Sequence, residues 1–259
     1  MDNLPSERVS SLKNSLRLLN LFTMEEPELS LSELSKKLGL GNSTIYRLTF
    51  TLVQEGFLAR DSVSKNFRLG SSILAKGTTI LSYYDICKYS PPILKKLVQE
   101  TGETAHLSTL TDNRVIYLQK IDAVNYVHLL SHAGRQNYIH CTSSGQAILA
   151  FQPDEIIKEV IEKGLPKLTD HTVTNPKKLK LLLSLVKRNG YAFSREEMHN
   201  GISSIASPIY TKKGKVHFSI SIAGPSSRID SQTAPELAKF VRRAADDLSV
   251  IIQKSSSCI

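Results

Sequence analysis

Residues 30–56 of this 259-residue chain read SLSELSKKLGLGNSTIYRLTFTLVQEG, and they carry the pattern of two helices separated by a glycine-containing turn. Ser30 stands three residues ahead of Glu33, which is the spacing of a capping box, in which each side chain bonds a free main-chain amide of the other. The first helix is therefore predicted to begin at this cap, to continue to Leu38 and to end at Gly39, because glycine readily closes a helix.

The second helix of this stretch follows the turn, with Asn42 or Ser43 as its cap, and extends to Gly56. Its buried stripe is predicted to consist of Ile45, Leu48, Thr49 and Leu52. Its outward side is predicted to carry Ser43, Tyr46, Arg47, Phe50 and Gln54. Two short helices joined by a glycine turn, the second with a polar outward face, form the helix-turn-helix pattern.

Two strand-like runs follow at residues 57–60 and 66–69, around a polar turn. They predict the hairpin of a winged helix. Before the motif, residues 9–24 repeat apolar side chains at helical spacing and end ahead of Pro27.

The helical pattern resumes over residues 71–90, and the pair Pro91-Pro92 is expected to close it. We therefore predict a winged helix-turn-helix domain over residues 1–72, a linker helix over residues 73–90 and a second domain over residues 91–259.

The second domain alternates helical and strand-like patterns. Helices are predicted over residues 93–100, 144–151, 153–163, 176–189 and 234–254. Strands are predicted over residues 103–110, 114–121, 126–131, 206–211 and 215–223. Hairpins dominate over strand-helix-strand crossovers, so the fold class is α+β with a mostly antiparallel sheet.

The composition fits a globular protein with two cores, since 41% of the residues are hydrophobic and 22% are charged. No apolar run approaches the 18 or so residues of a membrane span, and the first residues lack the pattern of a secretion signal, so a cytoplasmic protein is expected. The three cysteines, Cys87, Cys141 and Cys258, show no metal-binding or disulfide spacing and are expected to be structural.

The net charge of +9 is compatible with nucleic-acid binding without diagnosing it. Between residues 34 and 68, six basic residues face two acidic ones, a local balance of 6 − 2 = +4. The groups predicted to contact DNA are Asn42, Ser43, Thr44, Tyr46 and Arg47 on the second helix, with Lys65 and Arg68 on the wing. Arginine can pair with guanine and asparagine with adenine in the major groove, whereas hydroxyls and helix amides hold phosphates. Tyr46 and Phe50 could instead pack against the neighbouring helix.

The chain resembles the IclR family of bacterial transcriptional regulators along nearly its whole length. In the first domain the resemblance lies in SLKNSLRLL (11–19), LSELSKKLGL (31–40), STIYRL (43–48), EGFL (55–58) and FRLG (67–70). In the second domain it lies in HCTSSGQAILA (140–150), RNGY (188–191) with Glu196-Glu197, Gly201-Ile202 and SISIAGP (219–225).

This resemblance implies a GAF- or PAS-like sensor of small molecules joined to a DNA-reading domain that acts as a homodimer or tetramer. The effector pocket it implies consists of Ser143, Ser144, Ser194, Ile202, Ser204, Ser221 and Ala223. Ser194 stands where some relatives carry an acid, and Ser204 stands where some carry cysteine. From the residues alone, Ser143 and Ser144 at a helix start predict either a site for an anion such as a carboxylate or a simple helix cap. The alternation of residues 218–223 puts Ser219, Ser221 and Ala223 on one side of a strand.

An enzymatic reading depends on Cys141 beside His140, but neighbouring strand residues point to opposite sides and no third member of a catalytic group is evident. Among the histidines, His128 and His132 alone have a short spacing, and structural roles are favoured over a metal site. With no glycine-rich phosphate loop, no cofactor is predicted.

The leading hypothesis is a repressor that binds a double-stranded DNA operator and responds to a small anionic metabolite, with no membrane partner. The alternatives are a metabolite-processing enzyme with a DNA-binding appendage and a non-specific architectural DNA binder.

Overall fold

A computed structural model describes residues 10–124, 131–212 and 214–254 of the chain. The chain divides into two compact units, Met1–Tyr83 and Tyr84–Ile259. Within the described residues, no helix combines the length and the apolar composition that crossing a bilayer requires.

The first unit is a winged helix-turn-helix, as predicted. Its elements are α1 (Ser10–Leu19), α2 (Leu31–Leu38), α3 (Asn42–Gln54), β1 (Leu58–Arg60), β2 (Phe67–Leu69) and α4 (Ser71–Ser82). Helices α1, α2 and α3 and the β1–β2 hairpin enclose one apolar core that includes Leu18, Leu34, Ile45, Leu58 and Phe67. The predicted capping box at Ser30 and Glu33 is present, and Gly39 closes α2 in the left-handed conformation.

The cap of α3 differs from the prediction. Neither Asn42 nor Ser43 caps this helix, because both lie inside it and Gly41 occupies the N-cap position without a side-chain hydrogen bond. The helix also ends at Gln54, ahead of Gly56.

The second unit is an α+β domain built on one six-stranded sheet. Its helices are α5 (Ile86–Thr101), α6 (Ser143–Leu149), α7 (Asp154–Glu162), α8 (Pro176–Asn189) and α9 (Ala234–Lys254). Its strands are β3 (Thr104–Thr111), β4 (Arg114–Ile121), β5 (Gln136–Tyr138), β6 (Ala192–Arg195), β7 (Ile202–Tyr210) and β8 (Val216–Pro225). The strand order is β5-β4-β3-β8-β7-β6, and every pairing is antiparallel, which confirms the predicted sheet type.

The two faces of the sheet have different chemistry. Phe218, Ile220 and Ile222 of β8 join the apolar core that α5 and α9 cover. The alternate residues Ser219 and Ser221 lie on the opposite face, where both contact Ser144 of α6. The predicted alternation along this strand is therefore correct, and its polar side is buried rather than exposed to water.

Two helical predictions around residue 90 are wrong. The expected single helix over residues 71–90 is interrupted after Ser82, and the chain divides into its two units between Tyr83 and Tyr84. Pro91 and Pro92 do not end a helix; they lie inside α5.

The strands of the structure also differ from the predicted ones. β5 and β6 were not predicted, and β7 begins at Ile202 rather than at residue 206. The strand predicted over residues 126–131 lies almost wholly outside the described residues, and Ser131 belongs to no strand.

Candidate DNA interface and ligand cavity

The outward face of α3 is open to solvent within the first unit. Its predicted contact residues are all exposed: Asn42, Ser43, Thr44, Tyr46 and Arg47. The opposite stripe is buried through Ile45, Thr49 and Leu52. Tyr46 and Phe50 stack on each other with ring centroids 6.3 Å apart while each stays about half exposed, so neither is absorbed into the core.

The start of α3 is suited to an anion. The amides of Thr44 and Ile45 both bond the Gly41 carbonyl, which leaves the amides of Asn42 and Ser43 without an acceptor inside the helix. Gly41 supplies no capping side chain, so these amides and the positive end of the helix dipole face outward. The Arg47 side chain has no hydrogen bond or ion pair with any described residue.

The wing presents two cations. Its turn is held by Asp61, whose Oδ1 accepts from the amides of Val63 and Ser64 at 2.9 and 2.8 Å. These bonds lower the pKa of the Asp61 carboxyl, so the turn stays anchored at neutral pH. Lys65 and Arg68 are exposed on this hairpin. The guanidinium of Arg68 lies 3.9 Å from a Glu28 carboxylate oxygen, a loose surface pair that leaves it free to contact phosphate.

The predicted effector residues at the start of α6 have structural partners. Thr142, and neither serine, caps the helix by accepting from the Gly145 amide. The Ser143 hydroxyl donates to Ser204 Oγ at 2.8 Å, and the Ser144 hydroxyl donates to Ser221 Oγ at 2.9 Å. These two bonds fasten α6 to β7 and β8.

A cavity of about 230 Å³ opens on the polar face of the sheet, beside Thr142 at the start of α6. The predicted residues on its wall are Ser194, Ile202, Ser204 and Ala223. The other predicted residues, Ser143, Ser144 and Ser221, are buried but are not on the described wall. The wall residues that sequence reasoning missed are His106, Tyr117, Ser131, Arg135, Asn137, Cys141, Thr142, Met198 and His199.

His106 stands on the buried polar face of β3. It is 1% exposed, its ring stacks on Tyr117 with centroids 4.5 Å apart, and its Nε2 shares a hydrogen bond of 3.0 Å with Ser131 Oγ. Burial, with help from the nearby Lys120, lowers the pKa of His106 to about 3, so this imidazole is neutral at physiological pH. Burial likewise raises the pKa of Tyr117 to about 12.

Arg135 is the cation of this wall. Its half-buried side chain has no acidic partner among the described residues. Burial, and then the charge of Arg135, lower the pKa of His199, which places these two groups near each other and keeps His199 neutral at pH 7. Glu197 lies behind the wall, where its carboxylate accepts from Gln146 Nε2 and burial raises its pKa.

Asn137 lies on the cavity wall with 2% of its surface exposed. It is close enough to the Tyr117 hydroxyl to affect the pKa of that group. Neither its Nδ2 nor its Oδ1 makes a hydrogen bond of normal geometry with a described residue. A buried amide without these bonds is costly, and a polar group of a ligand in the cavity could supply them.

The pair His140 and Cys141 does not form a nucleophilic site. Burial raises the pKa of the Cys141 thiol to about 12, with a further contribution from Glu197, so the sulfur stays protonated and poorly nucleophilic. His140 Nε2 bonds the Pro166 carbonyl at 3.1 Å. Across the described ranges, no three histidine, cysteine or acidic side chains group as metal ligands would; of the pair noted in the sequence, His128 falls outside those ranges.

Two known domains match this chain in order. Residues 11–62 match the IclR helix-turn-helix domain, and residues 78–250 match the family described as bacterial transcriptional regulator IclR C-terminal. The HTH-type transcriptional regulator KipR of Bacillus subtilis is 33% identical over 236 residues, which cover 91% of this chain and 94% of KipR. The acetate operon repressor of Salmonella typhimurium is 29% identical over 246 residues, which cover 94% of this chain and 90% of that protein.

A solved structure has the same fold. The IclR homolog of Microbacterium hydrocarbonoxydans, crystallised in complex with 4-hydroxybenzoate, superposes with a TM-score of 0.84 at 24% identity, covering 95% of this chain and 100% of that one. The matched families and relatives are transcriptional regulators, so the reading of this chain as a metabolite-processing enzyme gains no support.

Proposed function

Because the chain belongs to the IclR family of bacterial transcriptional regulators, we propose that it represses transcription by binding an operator through α3 and the wing, and that a small anion in the cavity modulates this binding. The observation that carries the DNA-binding part is the open start of α3. Two helix amides without an acceptor inside the helix face solvent there, as does Arg47, whose side chain has no partner among the described residues. A bacterial regulator of this kind must reach the chromosome, which lies in the cytoplasm, so we assign the chain to the cytoplasm.

In the major groove, the amino-terminal turns of a recognition helix contact base edges and phosphates. Arg47 is suited to a bidentate pair with guanine, and Asn42 to a pair with adenine. The free amides of α3 and the hydroxyls of Ser43 and Thr44 would hold a phosphate, while Lys65 and Arg68 on the wing would contact the neighbouring backbone.

The first unit also carries apolar side chains that its own core leaves uncovered. Leu12 and Leu16 of α1 are 61% and 55% exposed, and Leu74 and Ile80 of α4 are 74% and 54% exposed. Uncovered apolar surface of this kind favours self-association. We therefore assign the operator-binding species as a homodimer that reads a palindrome, and a tetramer would be a pair of such dimers.

The cavity is smaller than the usual pocket for a drug-sized ligand, which favours a small metabolite. Arg135 on its wall favours an anion. A protein of the same fold holds 4-hydroxybenzoate, which supports a carboxylate as the anionic group. An effector that prefers one DNA-binding arrangement must change operator affinity, and typical couplings of this kind are about 1–3 kcal/mol. Repression as the output is supported by relatives such as the acetate operon repressor.

The test uses the full chain and a duplex that it selects from a random DNA pool. Arg47→Ala should weaken binding to the selected duplex by roughly 5- to 150-fold and should reduce the preference over random DNA. Arg188→Ala, which removes the same charge from α8 of the second unit, is the matched control and should change little. Unchanged affinity and base preference in Arg47→Ala would reject the assignment of α3.

Two further measurements complete the test. A salt titration distinguishes the proposed regulator from a non-specific architectural DNA binder. A protein that contacts only phosphates shows a steep salt dependence and no preference for the selected duplex over random DNA. A panel of small anions is then screened for altered affinity between the unmodified chain and the selected duplex. If no anion changes that affinity, the proposed regulation by an anionic effector is wrong.

A further inference from the structure

Two residues that lie two positions apart on one wall of the cavity determine what it can hold. Arg135 immediately precedes β5, and its carbonyl accepts from the Tyr117 amide at 3.1 Å, which keeps it paired with β4. Asn137 lies in the middle of β5. In extended chain, residues two apart share one side and are separated by about 6–7 Å, and both of these side chains line the cavity.

The charges on the wall favour a ligand with one negative charge. Of the wall residues that the structure describes, Arg135 alone carries a charge at neutral pH. Burial lowers the pKa of His106 and of His199, so both are neutral, and the hydroxyl of Tyr117 and the thiol of Cys141 stay protonated. A single carboxylate can pair with Arg135 through two parallel hydrogen bonds. A second carboxylate would be buried without a countercharge, which is strongly unfavourable.

Asn137 adds a requirement for a polar group. Its amide carries a donor and an acceptor on the cavity wall, and neither makes a hydrogen bond of normal geometry with a described residue, the nearby Tyr117 hydroxyl included. A hydroxyl can both accept and donate a hydrogen bond, so it can satisfy either end of the amide or bridge both. An alkyl group would leave both ends of the amide unsatisfied, which weakens binding.

We infer that the effector of this chain is a small hydroxy monocarboxylate, whose carboxylate pairs with Arg135 and whose hydroxyl bonds Asn137. The carbon skeleton would lie against Met198, Ile202 and Ala223 on the wall. This inference rests on the proposed function, because it names the ligand class of the same cavity.

The experiment measures binding of matched probes to the full chain by calorimetry. Three hydroxy acids of increasing size serve as probes: lactate, 4-hydroxybutyrate and 4-hydroxybenzoate. Each is compared with its deoxy acid, propionate, butyrate or benzoate, and with its primary amide, and malate serves as the hydroxy dicarboxylate. At least one hydroxy acid should bind about ten- to a hundredfold tighter than its deoxy acid, its amide and malate.

Two variants then test the roles of Arg135 and Asn137 separately. Arg135→Gln should remove the preference for acid over amide while the preference for hydroxy over deoxy acid persists. Asn137→Leu should remove the preference for hydroxy over deoxy acid while the preference for acid over amide persists. It should also raise the melting temperature of the ligand-free chain, because it removes a buried unsatisfied amide that leucine matches in size. Asn189→Leu, at an exposed position on α8, is the control and should change neither property.

The inference is overturned if none of the three hydroxy acids binds, if a deoxy acid or malate binds as tightly, or if either variant keeps the preference it should lose. These outcomes differ from a failure of the proposed function. An anion without a hydroxyl that alters operator affinity would leave the regulatory function standing and would refute the ligand class.

Discussion

The side-chain amide of Gln119 donates a hydrogen bond of 2.8 Å to the main-chain carbonyl oxygen of Cys87. In an unbroken helix this oxygen would accept the amide hydrogen of residue 91, but Pro91 has none. The hydroxyl of Ser90 donates to the oxygen of the same Gln119 amide and so fixes its orientation. A side chain of β4 therefore replaces the hydrogen bond that proline removes, and α5 continues through both prolines.

Loss of this side chain should destabilise the second unit. Gln119→Leu keeps the approximate volume but leaves the Cys87 carbonyl and the Ser90 hydroxyl without their partner, which we expect to cost about 1–3 kcal/mol. The free energy of unfolding in urea measures the effect. Gln232→Leu, at an exposed position, is the control and should change the free energy of unfolding little. Gln152→Leu would not serve, because the Gln152 side chain also donates to main-chain carbonyls.

A double-mutant cycle tests whether the bond acts through the proline. Pro91→Ala restores an amide hydrogen that can reach the Cys87 carbonyl. Gln119→Leu should therefore cost less in the Pro91→Ala background than in the unmodified chain. An equal cost in both backgrounds would show that Gln119 stabilises the fold for another reason.

This relationship also explains why the helix end predicted at Pro91 and Pro92 was wrong. The local rule that proline ends a helix is sound, but here it is overridden by a residue 32 positions away along the chain. No local pattern indicates that Gln119 would reach Cys87. By contrast, α2 was predicted correctly from its capping box to its closing Gly39, because these signals and its apolar spacing are local.

The cavity residues on long strands could be predicted from the sequence, whereas those on or beside a short strand could not. Alternation along β8 assigned both faces of that strand correctly, and the same rule applied to β3 would have put His106 on the face opposite Ala105 and Leu107. β5 has three residues, too few for a period of two to be recognised, so Arg135 and Asn137 were missed.

Gly145 is expected to tolerate no side chain. A methyl group at this position of α6 would overlap the main chain of Ile139, which cannot move as a flexible side chain could. Gly145→Ala should destabilise the chain by about 1–3 kcal/mol, as overpacking does in a dense core. Gly77→Ala is the matched control, since Gly77 lies inside α4 with open space around its Cα, and alanine there should stabilise the helix by about 0.5–1 kcal/mol. Equal effects of the two substitutions in thermal unfolding would contradict the steric argument.

The wing should contribute through charge rather than through base recognition. Lys65→Ala and Arg68→Ala should each weaken binding to selected and to random duplexes by similar factors. Each should also reduce the slope of log affinity against log salt by about 0.9. Lys239→Ala, which removes a charge that is paired with Glu236 on α9, should leave the slope unchanged. A wing variant that loses affinity for the selected duplex alone would indicate base contact instead.

His106 should make the stability of the chain depend on pH in a defined window. In the folded chain its pKa is about 3, since burial disfavours the imidazolium and the charge of Lys120 outweighs that of Asp122. In the unfolded chain the group titrates near 6.5. Between these values the unfolded state binds the extra proton, so stability falls as the pH is lowered through this window.

We expect His106→Gln to remove this contribution. Between pH 6.5 and pH 5, the unmodified chain should lose roughly 1.5 kcal/mol more unfolding free energy than the variant, because the other titrating groups are common to both. Urea unfolding at the two pH values measures the difference, and His217→Gln at an exposed position of β8 should behave like the unmodified chain. If His106→Gln loses as much stability on acidification as the unmodified chain, the buried imidazole takes up its proton as readily in the folded chain as in the unfolded one. At pH 5 Arg135 would then share the cavity with a second cation, and the preference for a single carboxylate would no longer follow from the wall at that pH.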